Sequence, residues 1–150
     1  MARDLAAAKL DSIRQELVSA QSSIDKYDDI IFKIRGWEVT IWTALMVVLF
    51  QSGKHHVLAI SMTVPFIFWV LDGMYHSFRM SYRERRKELT TYMSSAKFEK
   101  EFVGGRISFS SPSHPVHNTN RILHYCFRPT VFLLHVFLFL VATVMYFWVF

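Results

Sequence analysis

The sequence predicts an all-α membrane protein: three transmembrane helices, with an N-terminal cytosolic coiled-coil helix packed on a cytosolic extension of the second span. Three observations predict it. Apolar residues make up 52% of the 150 residues, and they gather in blocks instead of spreading at amphipathic spacing. An unbroken 3-4-3-4 apolar seam (Ala6, Leu10, Ile13, Leu17, Ala20, Ile24, Tyr27, Ile31, Ile34) runs without a breaker into membrane-grade sequence. Basic residues crowd the connection between the second and third apolar blocks.

Residues 1–35 form the first element, a cytosolic amphipathic helix. A 3.5-residue period keeps one stripe facing a partner helix along its whole length. Leu10, Ile13, Leu17, Ile24, Tyr27 and Ile31 are therefore the seam for an oligomer, another protein or another part of this chain. The segment lacks the n-region, h-region and cleavage pattern of a signal peptide. A coiled coil feeding a bilayer points to a sensor, effector or scaffold rather than an enzyme.

Residues 36–78 form a transmembrane hairpin. Its first span, Gly36 to Ser52, holds Glu38, and its second, Val57 to Gly73, holds Pro65 and Asp72. Each gives about 25 Å of helix, the short end of the spanning range. Read singly, either is also compatible with a buried helix; joined by a loop as short as Gly53 to His56, they read better as a transmembrane hairpin.

Residues 79–103 continue the second span as a basic cytosolic helix. A second, less clean stripe follows Phe78 through Tyr82, Arg85, Leu89, Tyr92, Ala96, Glu99 and Val103. If the chain reverses around Lys54 and His55, the stripes meet in order. Ile31 faces Phe78, Tyr27 faces Tyr82, Ala20 faces Leu89, Leu17 faces Tyr92 and Ile13 faces Ala96. The same register sets Asp25, Asp28 and Asp29 near Arg79, Arg83 and Arg85.

Residues 104–128 are expected to be a cytosolic loop, opened by Gly104-Gly105 and rich in Ser, Pro, His and Asn from Arg106 to Asn120. Residues 129–150 form the third transmembrane helix, with Pro129 in the first turn, where its missing N–H costs nothing. Thr130 to Phe150 contains no Asp, Glu, Lys or Arg and a single histidine, His135. At about 1.5 Å per residue it reaches about 31 Å, enough for a hydrocarbon core of about 30 Å.

Orientation follows from basic residues near span ends. Between His76 and Arg128 stand ten Lys or Arg against four Asp or Glu, while the Gln51 to His56 turn has one Lys. The long connection is cytosolic, with the N-terminus inside and the C-terminus outside. A single cysteine, Cys126, leaves no internal disulfide.

Glu38 and Asp72 carry the most chemical information, because ionisable groups inside a span are costly and default to a functional role with a partner. The fold-back register puts them at nearly the same depth. Arg35, His76 and Arg79 are near enough along their helices to join one cluster with them. These five residues are the candidates for a pore or gate, since acidic rings favour cations. Arg79, Arg83, Arg85, Arg86 and Lys87 form a basic patch suited to anionic headgroups or to an anionic ligand such as a nucleotide. No glycine-rich phosphate loop is present.

His114, His117, His124 and Cys126 lie close together in sequence, but at a spacing that matches no standard zinc knuckle. No metal site and no cofactor are expected from them. His55 and His56 read as interfacial polar residues. His135 is placed to hydrogen-bond a neighbouring helix or Thr143 of another copy, with a proton relay as the alternative that no other residue of the sequence supports. No catalytic set emerges, because the loop serines lack a paired base and orienting acid. Arg128 and His135 are spaced somewhat like the Arg–His pair of HEPN ribonucleases, but at or inside the third span, where RNA does not enter.

The stretch Phe68-Trp69-Val70-Leu71-Asp72-Gly73-Met74-Tyr75, with Arg79 and the run Tyr82-Arg83-Glu84-Arg85, resembles the second-span signature of small bacterial membrane proteins of the SLATT type. Gly36-Trp37 at the start of the first span is similar to the same group. The resemblance covers about residues 30–95, and Trp69, Asp72, Tyr75 and Arg79 are its signature positions. It implies a homo-oligomeric effector of the bacterial inner membrane that permeabilises or depolarises the bilayer in antiphage defence, triggered by a cytosolic sensor protein or nucleotide signal. No sequence-specific nucleic acid is expected. The alternative is a non-conducting anchor that recruits a soluble partner through the coiled coil.

Overall fold

A computed structural model describes residues 2–52, 55–105, 107 and 119–149. The chain is all-helical: α1 (Ala2–Ser52), α2 (His55–Met93), α3 (Ala96–Val103), α4 (Thr119–Cys126) and α5 (Pro129–Val149), with no strand among the described residues. Helix α1 is continuous through both the seam and the first apolar block. Its single internal glycine, Gly36, is exposed with open space around it, so the weak helix propensity of glycine, about 1 kcal/mol, is the only cost there. Helix α2 tolerates Pro65, which removes one backbone donor from the helix ladder.

Two compact units divide the chain: Met1–Tyr27 with Phe78–His117, and Asp28–Ser77 with Asn118–Phe150. In the first, the α1 seam packs on α2 of the same chain. Ala6, Ile13, Leu89 and Ile107 form a buried cluster, with Leu17, Tyr92, Met93 and Phe98 against it. The Tyr27 ring lies 5.9 Å from Phe78 and 5.6 Å from Tyr82. Arg85 pairs with Glu16 (2.7 Å) and Glu88 (3.1 Å), whereas the register placed it near Asp25, Asp28 and Asp29. A long guanidinium reaches along the helix, so a charge pair need not follow the seam register.

The basic helix expected over 79–103 breaks after Met93. Ser95 becomes the N-cap of α3, its hydroxyl accepting from the Phe98 N–H at 3.2 Å, and Gly104 with Gly105 (φ 67°) ends that helix. The break lets α3 turn back, so that Phe98 meets Tyr92 at 5.5 Å and the Tyr92 hydroxyl donates to Glu101 at 2.7 Å. The expected 104–128 loop also contains a helix, α4. The turn at Gly53-Lys54 and most of the Ser/Pro-rich stretch lie outside the described residues.

In the second unit, Met46, Leu49 and Ala142 pack together with Trp42 and Met62, joining α1, α2 and α5. Helix α4 is fixed to α2 by close contact. A Cβ on Gly73 would collide with the Cys126 Sγ and lie 3.1 Å from the Cys126 Cα, so only glycine admits α4 at this distance. The Trp69 indole donates to the Cys126 carbonyl at 2.7 Å, and its ring meets Phe127 at 5.3 Å. Tyr125 packs on His76 (5.5 Å) and under the Arg128 guanidinium (4.6 Å).

Among the described residues one helix, over Pro129–Phe147, is long and apolar enough to cross a membrane. The expected first and second spans are present as helices but do not reach that length and apolarity among the described residues. Both helices are unbroken; Arg35, Glu38 and Gln51-Ser52 lower the apolarity of the first run, and the side chains of Val57 and Leu58, which open the second, lie outside the described residues.

Candidate functional site

Three helices of the second unit, α1, α2 and α5, each place an ionisable residue on an inward stripe. On α1 the stripe steps from Ile31 and Ile34 to Glu38, on α5 it is Val131, His135, Leu138, Ala142, and on α2 Asp72 lies one turn before His76; all of these are buried. Helical periodicity alone therefore directs Glu38, Asp72 and His135 to a common interior.

There they form one network. His135 Nδ1 lies 2.7 Å from Glu38 Oε1, and its Nε2 lies 3.3 Å from Asp72 Oδ2. Arg35 Nε donates to the same Asp72 Oδ2 at 2.8 Å, and its Nη2 donates to the Thr130 carbonyl at 2.9 Å. Glu38 and Asp72 are 0% exposed, so their charges are compensated within the protein. Two carboxylate oxygens, Glu38 Oε2 and Asp72 Oδ1, are buried with no hydrogen-bond partner among the described residues. An apolar cleft of about 180 Å³ between α2 and α5 reaches His135, walled by Pro65, Phe66, Trp69, Phe132, Val136 and Phe139.

Of the five residues expected at a gate, Arg35, Glu38 and Asp72 are brought together. His76 is buried against Tyr125, and Arg79 belongs to the first unit. His135 is the member that the sequence did not assign to this cluster: it was expected to bond a neighbouring helix or Thr143 of another copy. Its standing as the single histidine in a span without Asp, Glu, Lys or Arg was the available signal. Trp69 secures α4, and Tyr75 is half-buried on α2. In the basic patch Arg83, Arg86 and Lys87 are exposed, while Arg85 is committed to Glu16 and Glu88. Of the possible zinc ligands, His114 and His117 lie outside the described residues. The side chains of His55 and His56 do too.

Burial raises the Cys126 thiol above its ordinary value, and the nearby Asp72 carboxylate raises it further. The thiolate is the nucleophile, so at any pH below that raised value less of it is present than in an ordinary cysteine. Cys126 is expected to alkylate much more slowly than a free thiol at neutral pH, with the rate climbing only above the usual thiol range. In Gly73→Val, which displaces α4, the rate at neutral pH should rise toward that of a free thiol. A maleimide time course on the full chain at several pH values checks both.

No protein-family model, curated protein or solved structure matches this chain.

Proposed function

We propose that this chain is a SLATT-like, homo-oligomeric effector of a bacterial inner membrane, crossing it three times with the N-terminus inside and the C-terminus outside. It permeabilises or depolarises the membrane in an abortive response to phage when a cytosolic sensor protein or nucleotide signal acts on it. The observation that carries this reading is the buried Arg35–Glu38–Asp72–His135 network. Two carboxylates and an imidazole from three helices, closed away from the surface and joined by a half-buried Arg35, are costly as structure and suited to a path that opens.

The surface around the network supports membrane embedding of all three helices. In the second unit polar side chains (Glu38, Ser61, Asp72, His76, Ser77, His135) point inward, while Trp37, Val48, Phe66, Leu133, Phe137 and Phe147 are among the large apolar residues facing out. An exterior carrying so many large apolar side chains suits lipid better than water. Thr40, Thr63 and Thr143 turn their hydroxyls back onto the carbonyls of Gly36, Ala59 and Phe139 at 2.8–3.0 Å, which satisfies them without water. Arg83, Arg86 and Lys87 supply a surface for anionic headgroups at the cytosolic side.

In the closed state His135 and Arg35 hold Glu38 and Asp72. Opening separates α5 from α1 and α2 and exposes the two carboxylates to a cation path. The anchor reading is weaker because Ile13 and Leu17, which would recruit the partner, already pack on α2 of the same chain.

Membrane potential and dye entry in cells induced to express the chain test the reading, beside Glu38→Gln plus Asp72→Asn at matched membrane levels. Depolarisation by the parent and its loss in the double variant are expected. No depolarisation, even with genomic neighbours co-expressed and phage present, would leave the anchor.

A further inference from the structure

The hydrogen-bond count around His135 does not close with ordinary charges. A neutral imidazole has one N–H and one bare nitrogen. Both ring nitrogens of His135 face carboxylate oxygens, at 2.7 and 3.3 Å. If both carboxylates are ionised, the bare nitrogen meets an oxygen with no hydrogen between them, a repulsive contact in a water-free interior. The geometry is satisfied only when the network contains one proton more. That proton either makes His135 an imidazolium between two carboxylates or sits on one carboxyl, which then donates to the bare nitrogen.

Charge balance gives the same answer. Arg35 contributes one positive charge, and Glu38 and Asp72 contribute two negative ones. With the additional proton the network is neutral; without it, one uncompensated negative charge remains on the fully buried carboxylates among apolar helices, a state that is strongly disfavoured. Other cations fit less well. An alkali or divalent ion takes six or more oxygens, whereas the network leaves two, Glu38 Oε2 and Asp72 Oδ1, without partners.

We propose that Glu38, Asp72 and His135 together form a binding site for one exchangeable proton, held in the resting protein and shared between the imidazole and a carboxyl group. From α1 the site is faced by Glu38 and Arg35. From α2 it is faced by Asp72, with His76 one turn on, and from α4 by the Cys126 thiol, which feels the Asp72 charge. The partnerless oxygens Oε2 and Oδ1 are the two further positions the proton can occupy without moving a helix. Whether this proton is also the ion that crosses the membrane rests on the effector reading; the site itself does not.

The test is made on the full chain in lipid nanodiscs. Nitrogen NMR of ¹⁵N-histidine, with His135 assigned by its loss in His135→Gln, is read at neutral pH beside the infrared band of protonated carboxyl groups. Two results support the site. One is a doubly protonated imidazole. The other is a singly protonated ring together with a carboxyl band that is lost in Glu38→Gln or in Asp72→Asn. A singly protonated imidazole with no carboxyl band overturns it. Proteoliposomes with an internal pH dye and an imposed potassium diffusion potential then separate the two proposals. A stored proton without flux of any ion overturns the effector reading and leaves the site; leakage of potassium or dye by a protein that stores no proton does the reverse.

Discussion

Replacing His135 with leucine is expected to destabilise the protein by about 3–5 kcal/mol, the range found when one partner of a buried charged pair is removed. Leucine fills the space and suits the apolar stripe of Val131, Leu138 and Ala142, so lost packing contributes little. What remains is Glu38 with no partner for Oε1 and Asp72 with Arg35 alone, both fully buried. Combining His135→Leu with Glu38→Leu removes the orphaned charge as well as the ring, and should recover most of the loss. The recovery is a coupling energy read from a double-mutant cycle. Thermal unfolding of the full chain in nanodiscs, followed by circular dichroism, gives all four corners. Equal losses that simply add would mean that His135 and Glu38 do not meet.

The positions of Glu38 and Asp72 were legible in the sequence for different reasons. Glu38 is the next step of the seam after Ile34, and Asp72 is a lone carboxylate in an apolar run that falls at a matching depth once the hairpin is folded. The third member was hidden because α5 is apolar all round; a stripe cannot be seen where there is no polar face to contrast with it. Its burial pattern appears only when α5 is packed. Helix α4 was missed for a different reason. Its eight residues carry no capping box and follow a Ser/Pro-rich stretch, and what fixes it is tertiary: the bare backbone at Gly73 and the Trp69 indole on the Cys126 carbonyl. The break at Ser94-Ser95 could have been read from the N-capping preference of serine, had the stripe through Val103 not been followed past it.

The division of labour between the two units follows from these placements. In the first unit, α1 and α2 meet through apolar packing and the Arg85–Glu16 ion pair. In the second they meet α5 through the charged network and through the packing of Met46, Leu49 and Ala142. Helices α1 and α2 each contribute residues to both units.

Leu89→Ala tests that apolar contact. Leu89 is 0% exposed and sits among Ala6, Ile13 and Ile107, so truncation leaves a cavity and is expected to cost about 2–5 kcal/mol. Since α1 and α2 of one chain enclose the residue, the loss should not depend on protein concentration. A seam closed between copies would instead lose stability by mass action, more steeply as the protein is diluted. Ile13→Ala in the same cycle should couple to Leu89→Ala, because the two side chains share one cavity wall. Unfolding curves collected over a wide range of dilution distinguish the cases. A midpoint that holds steady for parent and variant places the seam within the chain, and one that falls on dilution places it between copies.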